Sequence, residues 1–116
     1  MSERFELVVP CYNEAPGLEL LISESVAAAR EFGFTAETFC LVMVDNGSVD
    51  GTRESMQALA KSSWATWTRF VYLDKNRGYG GGILAGLAVT QSPWVGYTHA
   101  DLQTHPRDAF RALKVA

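Results

Sequence analysis

The sequence predicts an α/β fold, a mostly parallel sheet with helices on both faces. Two observations carry this. Apolar runs of strand length alternate with helix-periodic segments four times in 116 residues, with no repeat and no linker between them. The second run, Thr38 to Val44, is apolar after its first residue, as expected of a strand covered on both faces.

The elements follow in order. Phe5 to Val9 is a short buried strand ended by Pro10. Asn13 to Gly17 leads into a helix, with Pro16 suited to its first turn. Leu18, Leu21, Ile22, Val26 and Ala29 then share one helical face, and Gly33 marks the stop. After the second strand comes a polar cluster, Asp45 to Gly51. A second helix runs to about Lys61 with Met56, Leu59 and Ala60 inward, and Trp64 and Trp67 pack under the next connection. Arg69 to Leu73 is a third strand and Asp74 to Gly82 a glycine-rich loop. Ile83, Leu84, Leu87 and Ala88 form the face of a third helix that ends near Ser92-Pro93. Trp94 to Thr98 is a fourth strand, and Pro106 starts a last helix to about Lys114.

Composition narrows the function. Hydrophobic residues make up 47% of the chain, enough for one domain, residues 1–116, with a real core. A net charge of -3 argues against a nucleic-acid binder that relies on a basic surface. It leaves a phosphate ligand open, because a metal ion supplies positive charge locally. Cys11 and Cys40 lie in apolar runs and read as buried free thiols of a reducing compartment. The N-terminus has no signal-peptide pattern, and no apolar stretch reaches the ~18 residues of a membrane span. The expectation is a cytoplasmic chain, with membrane association reserved for a longer protein.

In a parallel sheet, ligands bind beyond the carboxyl ends of the strands. Four polar clusters fall there: Pro10 to Glu14, Asp45 to Thr52, Asn76 to Gly82 and His99 to Gln103. Each alone reads as a solvated turn; four on one rim read as a site. Tyr12 is suited to stack on a base, and Glu14 either bonds to it or favours the helix N-terminus electrostatically. Asp45 is suited to accept from a base N–H or a ribose hydroxyl. Ser48 and Asp50 read better as turn and cap residues that hold Asp45. Asp101 and Gln103 are hard oxygen donors two residues apart, the minimum for a divalent ion that also binds a diphosphate. His99 would add a nitrogen, which suits manganese better than magnesium. Gly80 to Ala85 matches a dinucleotide fingerprint, but on the third strand-helix turn rather than the first and without a suitably placed acidic residue. The milder reading is close approach of backbone to ligand and sheet, with Gly82 and Gly86 on one side of the helix.

The four clusters resemble those of family 2 glycosyltransferases. Val8-Val9-Pro10-Cys11-Tyr12-Asn13-Glu14 resembles their opening motif, and Val44 to Thr52 the second, which often has an aspartate where Asn46 stands. Asn76-Arg77-Gly78 and the glycines after it resemble the third. His99-Ala100-Asp101-Leu102-Gln103 resembles their Asp-x-Asp-type metal motif, especially in the branch with dolichyl-phosphate mannosyltransferases and bacterial relatives. There His99 stands where an aspartate is common.

The resemblance implies a GT-A fold of the nucleotide-diphospho-sugar transferase type, truncated. It implies an inverting sugar transfer from a UDP- or GDP-linked donor to an acceptor such as a polyprenyl phosphate or glycan. Pro10, Tyr12, Glu14, Asp45, Arg77, Ala100 and Asp101 would bind the donor, and His99, Asp101 and Gln103 a manganese or magnesium ion. The catalytic base and acceptor site are expected in a C-terminal part not matched here, so the chain alone is expected to be inactive. An open edge at Trp94, Val95 and Tyr97 is then expected to drive a homodimer or larger oligomer. The alternatives are a non-catalytic nucleotide-binding module and, third, a sugar nucleotidyltransferase. The latter should carry a basic glycine-rich loop after strand one, which Pro10 to Glu14 is not.

Overall fold

The computed structural model describes residues 4–100 and 105–115. Its strands are β1 (Phe5–Cys11), β2 (Phe39–Asn46), β3 (Thr68–Leu73) and β4 (Trp94–Tyr97), and its helices α1 (Leu18–Glu31), α2 (Thr52–Leu59), α3 (Gly78–Leu87) and α4 (Arg107–Val115). Short 3₁₀ turns at Ala15–Gly17 and Ser63–Thr66 complete the connections. The described strands form one sheet in the order β3-β2-β1-β4, and every pair is parallel.

Alternation along the strands sorts side chains to two faces. Phe5, Leu7, Val9, Cys11, Phe39, Leu41 and Met43 point to one face, where they pack with Leu18, Leu21, Ile22 and Val26 of α1, Met56 of α2 and Phe110 of α4. Val8, Cys40, Val42 and Val44 point to the other, beneath α3. Glu6 lies on that second face too, buried, with its carboxylate accepting from the Gln91 N–H and the Ser92 hydroxyl. Both cysteines are buried and free, and Trp64 and Trp67 pack against the larger core.

Several boundaries differ from the sequence reading. Pro10 does not end β1; it pairs with Val44 inside it. The Val8 carbonyl accepts from the Thr98 N–H, so Pro10, two residues on, also faces the β4 side. There β4 has already ended at Tyr97, and the missing N–H costs no ladder bond. β2 runs on to Asn46, so Asp45 and Asn46 are strand residues rather than loop residues. α3 begins at Gly78, five residues earlier than the expected Ile83, and most of the glycine run is helix. Leu84 is exposed rather than inward, and Ala60 is exposed beyond the end of α2.

The glycines explain how α3 sits so close. A Cβ on Gly86 would lie 2.4 Å from Val8 Cγ1 and 3.0 Å from Val44 Cγ2, and one on Gly82 would lie 3.0 Å from both Pro10 Cβ and the Asn46 amide nitrogen. The expected role of these two residues, tight packing of helix on sheet, is what the structure shows.

Candidate functional site

The carboxyl ends of β1, β2 and β4 surround a hollow of about 200 Å³ lined by Pro10, Cys11, Tyr12, Glu14, Asn46, Asn76, Tyr79, His99 and Ala100. Five of the residues singled out in the sequence meet there, from two segments far apart in the chain: Pro10 near the end of β1 with Tyr12 and Glu14 just after it, and His99 and Ala100 after β4. Asp101 and Gln103 lie outside the described residues.

The loop after β1 is latched to the loop after β2 by hydrogen bonds. Asn13 adopts a left-handed conformation, φ 54°, which its short polar side chain tolerates. Its N–H donates to Ser48 Oγ at 3.0 Å, and its Oδ1 accepts from the Val49 N–H at 3.0 Å. The Glu14 N–H donates to Thr52 Oγ1 at 2.9 Å. These contacts fix the backbone that presents Tyr12, 45% exposed, at the rim.

Asp45 and Asn46 are neighbours at the end of β2, so they point to opposite faces. Asp45 points toward α2 and is fully buried. Its Oδ1 accepts from the Ser48 N–H at 3.0 Å and its Oδ2 from Arg53 Nε at 2.8 Å. Arg53 also donates to the Leu73 carbonyl and lies over the Tyr72 ring. Asp45 therefore lies beneath the site and is not among the lining residues. Ser48 holds it as expected; Arg53 is the partner that sequence reasoning missed. Asp50 caps the start of α2 by accepting from the Thr52 N–H and hydroxyl, and the Thr52 hydroxyl bond leads the effects that hold the Asp50 carboxyl below its ordinary value.

Asn46 points to the α3 side and into the hollow. Its Oδ1 accepts from the Arg77 N–H at 3.0 Å and its Nδ2 donates to the Gly78 carbonyl at 2.9 Å. Arg77 enters the site through this backbone bond; its exposed side chain is not among the lining residues. Tyr79, in the first turn of α3, stacks on the His99 ring with centroids 4.8 Å apart and planes 16° apart. Cys11 sits under the floor; burial foremost, and then the Glu14 and Asp45 carboxylates, push its thiol far up, so it is no nucleophile.

Asn46, Asn76 and Tyr79 were not picked as site residues from the sequence. The signal was present in the alternation at the end of β2, which puts residue 46 on the same face as Pro10.

Among the described residues no group of three His, Cys, Asp or Glu side chains is gathered to hold a metal ion. An ion that also binds a diphosphate requires only one or two protein ligands; of the three residues the sequence offers for one, His99 lines this hollow, and Asp101 and Gln103 lie outside the described residues. No helix among the described residues is long and apolar enough to cross a membrane.

Known proteins resemble this chain over nearly its whole length. The model of the family described as Glycosyl transferase family 2 matches residues 6–116. An undecaprenyl-phosphate 4-deoxy-4-formamido-L-arabinose transferase of Pseudomonas paraeruginosa is 34% identical over 110 residues, covering 95% of this chain and 31% of the relative. The same enzyme of Serratia proteamaculans is 29% identical over 114 residues, covering 98% and 34%. The chain thus spans about a third of the length of these relatives. Among solved structures, a mannosyltransferase of Pyrobaculum calidifontis in complex with GDP-Man and Mn2+ superposes with a TM-score of 0.69 at 28% identity, covering 87% of this chain and 28% of that one. TarS of S. aureus superposes at 0.67 with 21% identity, covering 96% and 31%, which is a likeness of fold.

Proposed function

Since the chain belongs to glycosyl transferase family 2, with a GT-A fold, we propose that its hollow binds the nucleoside diphosphate of a UDP- or GDP-linked sugar together with a divalent ion. The chain is then the donor-binding part of an inverting transferase whose acceptor is a polyprenyl phosphate. The observation that carries this is the convergence of Pro10, Tyr12, Glu14, His99 and Ala100 on one hollow at the carboxyl end of a parallel sheet. The Pseudomonas and Serratia relatives, named for undecaprenyl phosphate, support the acceptor class. The Pyrobaculum structure, which holds GDP-Man and Mn2+, supports the donor class and the metal. Narrower kinship with the dolichyl-phosphate mannosyltransferase branch belongs to the same proposal, as does work at the cytoplasmic face of a membrane.

In this reading Tyr12 stacks on the base, Glu14 bonds to the nucleoside, and His99, Asp101 and Gln103 hold the ion at the diphosphate. A bound ion would stabilise the departing diphosphate. The base that takes the acceptor proton lies outside these residues.

Titration calorimetry of the chain with GDP and with UDP, each with and without manganese, tests the reading. The expected result is weak binding of one nucleotide that manganese tightens, with the metal effect lost in Asp101→Ala. Equal affinity with and without metal in both proteins would overturn the metal assignment, and no binding of either nucleotide would overturn the site. His99→Asp is expected to strengthen nucleotide binding in magnesium, because a carboxylate brings charge and a harder donor.

A further inference from the structure

We propose that Asn46 is a positioning residue for the hollow, acting through the start of α3 on the Tyr79–His99 stack. The identity of the ligand it serves rests on the nucleotide-sugar reading above. Asn46 is 3% exposed and uses both ends of its amide on consecutive residues, accepting from the Arg77 N–H and donating to the Gly78 carbonyl. A carboxamide does both; an ionised carboxylate accepts and cannot donate.

Two glycines pack closely beside this grip. A Cβ on Gly82 would meet the Asn46 amide nitrogen at 3.0 Å and its Cγ at 3.3 Å. Gly47, φ 74°, lies so near the Lys75–Asn76 peptide that a Cβ there would be 2.3 Å from Asn76 N. The 77–78 segment is held by the two Asn46 bonds. Gly78, φ 77°, turns the chain from there into α3, and Tyr79 is the next residue.

Tyr79 and His99 are both exposed, so burial does not hold the two rings together. The Tyr79 ring leaves the helix one residue after the backbone that Asn46 holds. His99 is carried by the segment after β4, across the hollow from α3, and its ring lies flat on Tyr79. One line of contacts thus runs from residue 46 through 77, 78 and 79 to 99. It joins the two positions, Asn46 and His99, at which the resembling motifs commonly have aspartate. Asn46→Asp would remove the donor to the Gly78 carbonyl and place a carboxylate against it.

The test uses the whole chain and two readouts: the ring-proton NMR shifts of His99, which a stacked phenol moves, and the affinities for GDP and UDP with magnesium. Tyr79→Leu and Asn46→Asp should both return the His99 shifts toward free imidazole and weaken nucleotide binding about tenfold, as loss of a ligand-orienting contact does. Affinity is read well below each variant's melting temperature. If Asn46→Asp lowers only the melting temperature and leaves shifts and affinity alone, its role is purely structural and the proposal is overturned. Should Asn46→Asp fail to fold, unchanged affinity in Tyr79→Leu overturns it instead. If the unsubstituted chain binds neither nucleotide, the donor reading fails by itself, while the His99 shifts in Asn46→Asp still decide whether residue 46 controls the stack.

Discussion

The central strand β1 has two flanks built in different ways. Toward β2 it pairs along all seven residues, Phe5 to Cys11, and its following loop is tied to the next by Asn13, Ser48, Glu14 and Thr52. Toward β4 it pairs over four residues, and β4 is a sheet edge whose Trp94, Val95 and Tyr97 are 39%, 39% and 58% exposed. An apolar groove lined in part by Trp94, Val95, Tyr97 and Leu113 runs between this edge and α4. The two flanks meet at the hollow. The first supplies backbone held by side-chain hydrogen bonds and glycine contacts, and the second supplies His99 and Ala100 from the end of a short edge strand. A rigid wall and a lightly held wall around one site are a common way to position groups and still admit a ligand.

The largest expected effect tests what secures the weak flank. Phe110 of α4 is 1% exposed and packs against Phe5 at 5.3 Å, Phe39 at 5.1 Å, Phe34 at 5.5 Å and Phe32 at 5.7 Å between ring centroids. Phe110→Ala is expected to cost about 3–5 kcal/mol in urea unfolding. A cost below about 1 kcal/mol would mean that α4 adds little to the core and that the β4 flank stands without it.

On the strong flank, Gly47→Ala forces a left-handed residue and a clash with the Lys75–Asn76 peptide. The expected loss is about 2–4 kcal/mol in the same assay, from backbone strain and overpacking together. A neutral result would show that the 47 and 75–76 segments separate freely, which would remove the distinction between the flanks.

The exposed edge predicts a smaller effect on stability and a visible one on association. Unpaired backbone groups beside an apolar patch invite a second chain, and light scattering at micromolar concentration is expected to show a dimer or larger species. Val95→Lys should shift this toward monomer while changing stability by no more than about 0.5 kcal/mol. A monomeric unsubstituted chain would mean that the edge is protected by its own twist and shortness.

The smallest effect concerns acid. Thr52 holds the Asp50 carboxyl below its ordinary value, so the contribution is present above about pH 4 and is lost as pH falls through the lowered value. Asp50→Asn should flatten that part of the pH-stability curve and leave neutral pH nearly unchanged. An unaltered acid limb would assign the loss to other carboxylates.

Much of this architecture was legible in the sequence because its signals were of one kind. The run from Thr38 to Val44 reads as a doubly covered strand because it is apolar after its first residue, and the helix face from Leu18 to Ala29 follows from spacing near 3.6 residues. Errors arose where a local rule met a tertiary exception. Pro10 was read as a stop, but it lies where β4 has ended and needs no N–H partner. The glycines of 78–82 read as loop because each disfavours helix by about 1 kcal/mol, yet Gly82, with Gly86 one turn on, is what lets α3 lie on Pro10, Asn46, Val8 and Val44. At the site, cutting β2 at Val44 hid the alternation that sends Asp45 to α2 and Asn46 to the hollow. A tyrosine among glycines gives no sign in the sequence that its ring meets His99 from twenty residues away.

The most direct test of the donor-site account is paramagnetic broadening of backbone amides by manganese in the presence of GDP or UDP. The account predicts loss of signal around Tyr12, Glu14, Asn76, Tyr79, His99 and Ala100, dependent on nucleotide, with Arg4, Arg69, Val89 and Gln91 at the other end of the sheet unaffected. Broadening centred on that opposite end, or the same pattern from manganese without nucleotide, would contradict it.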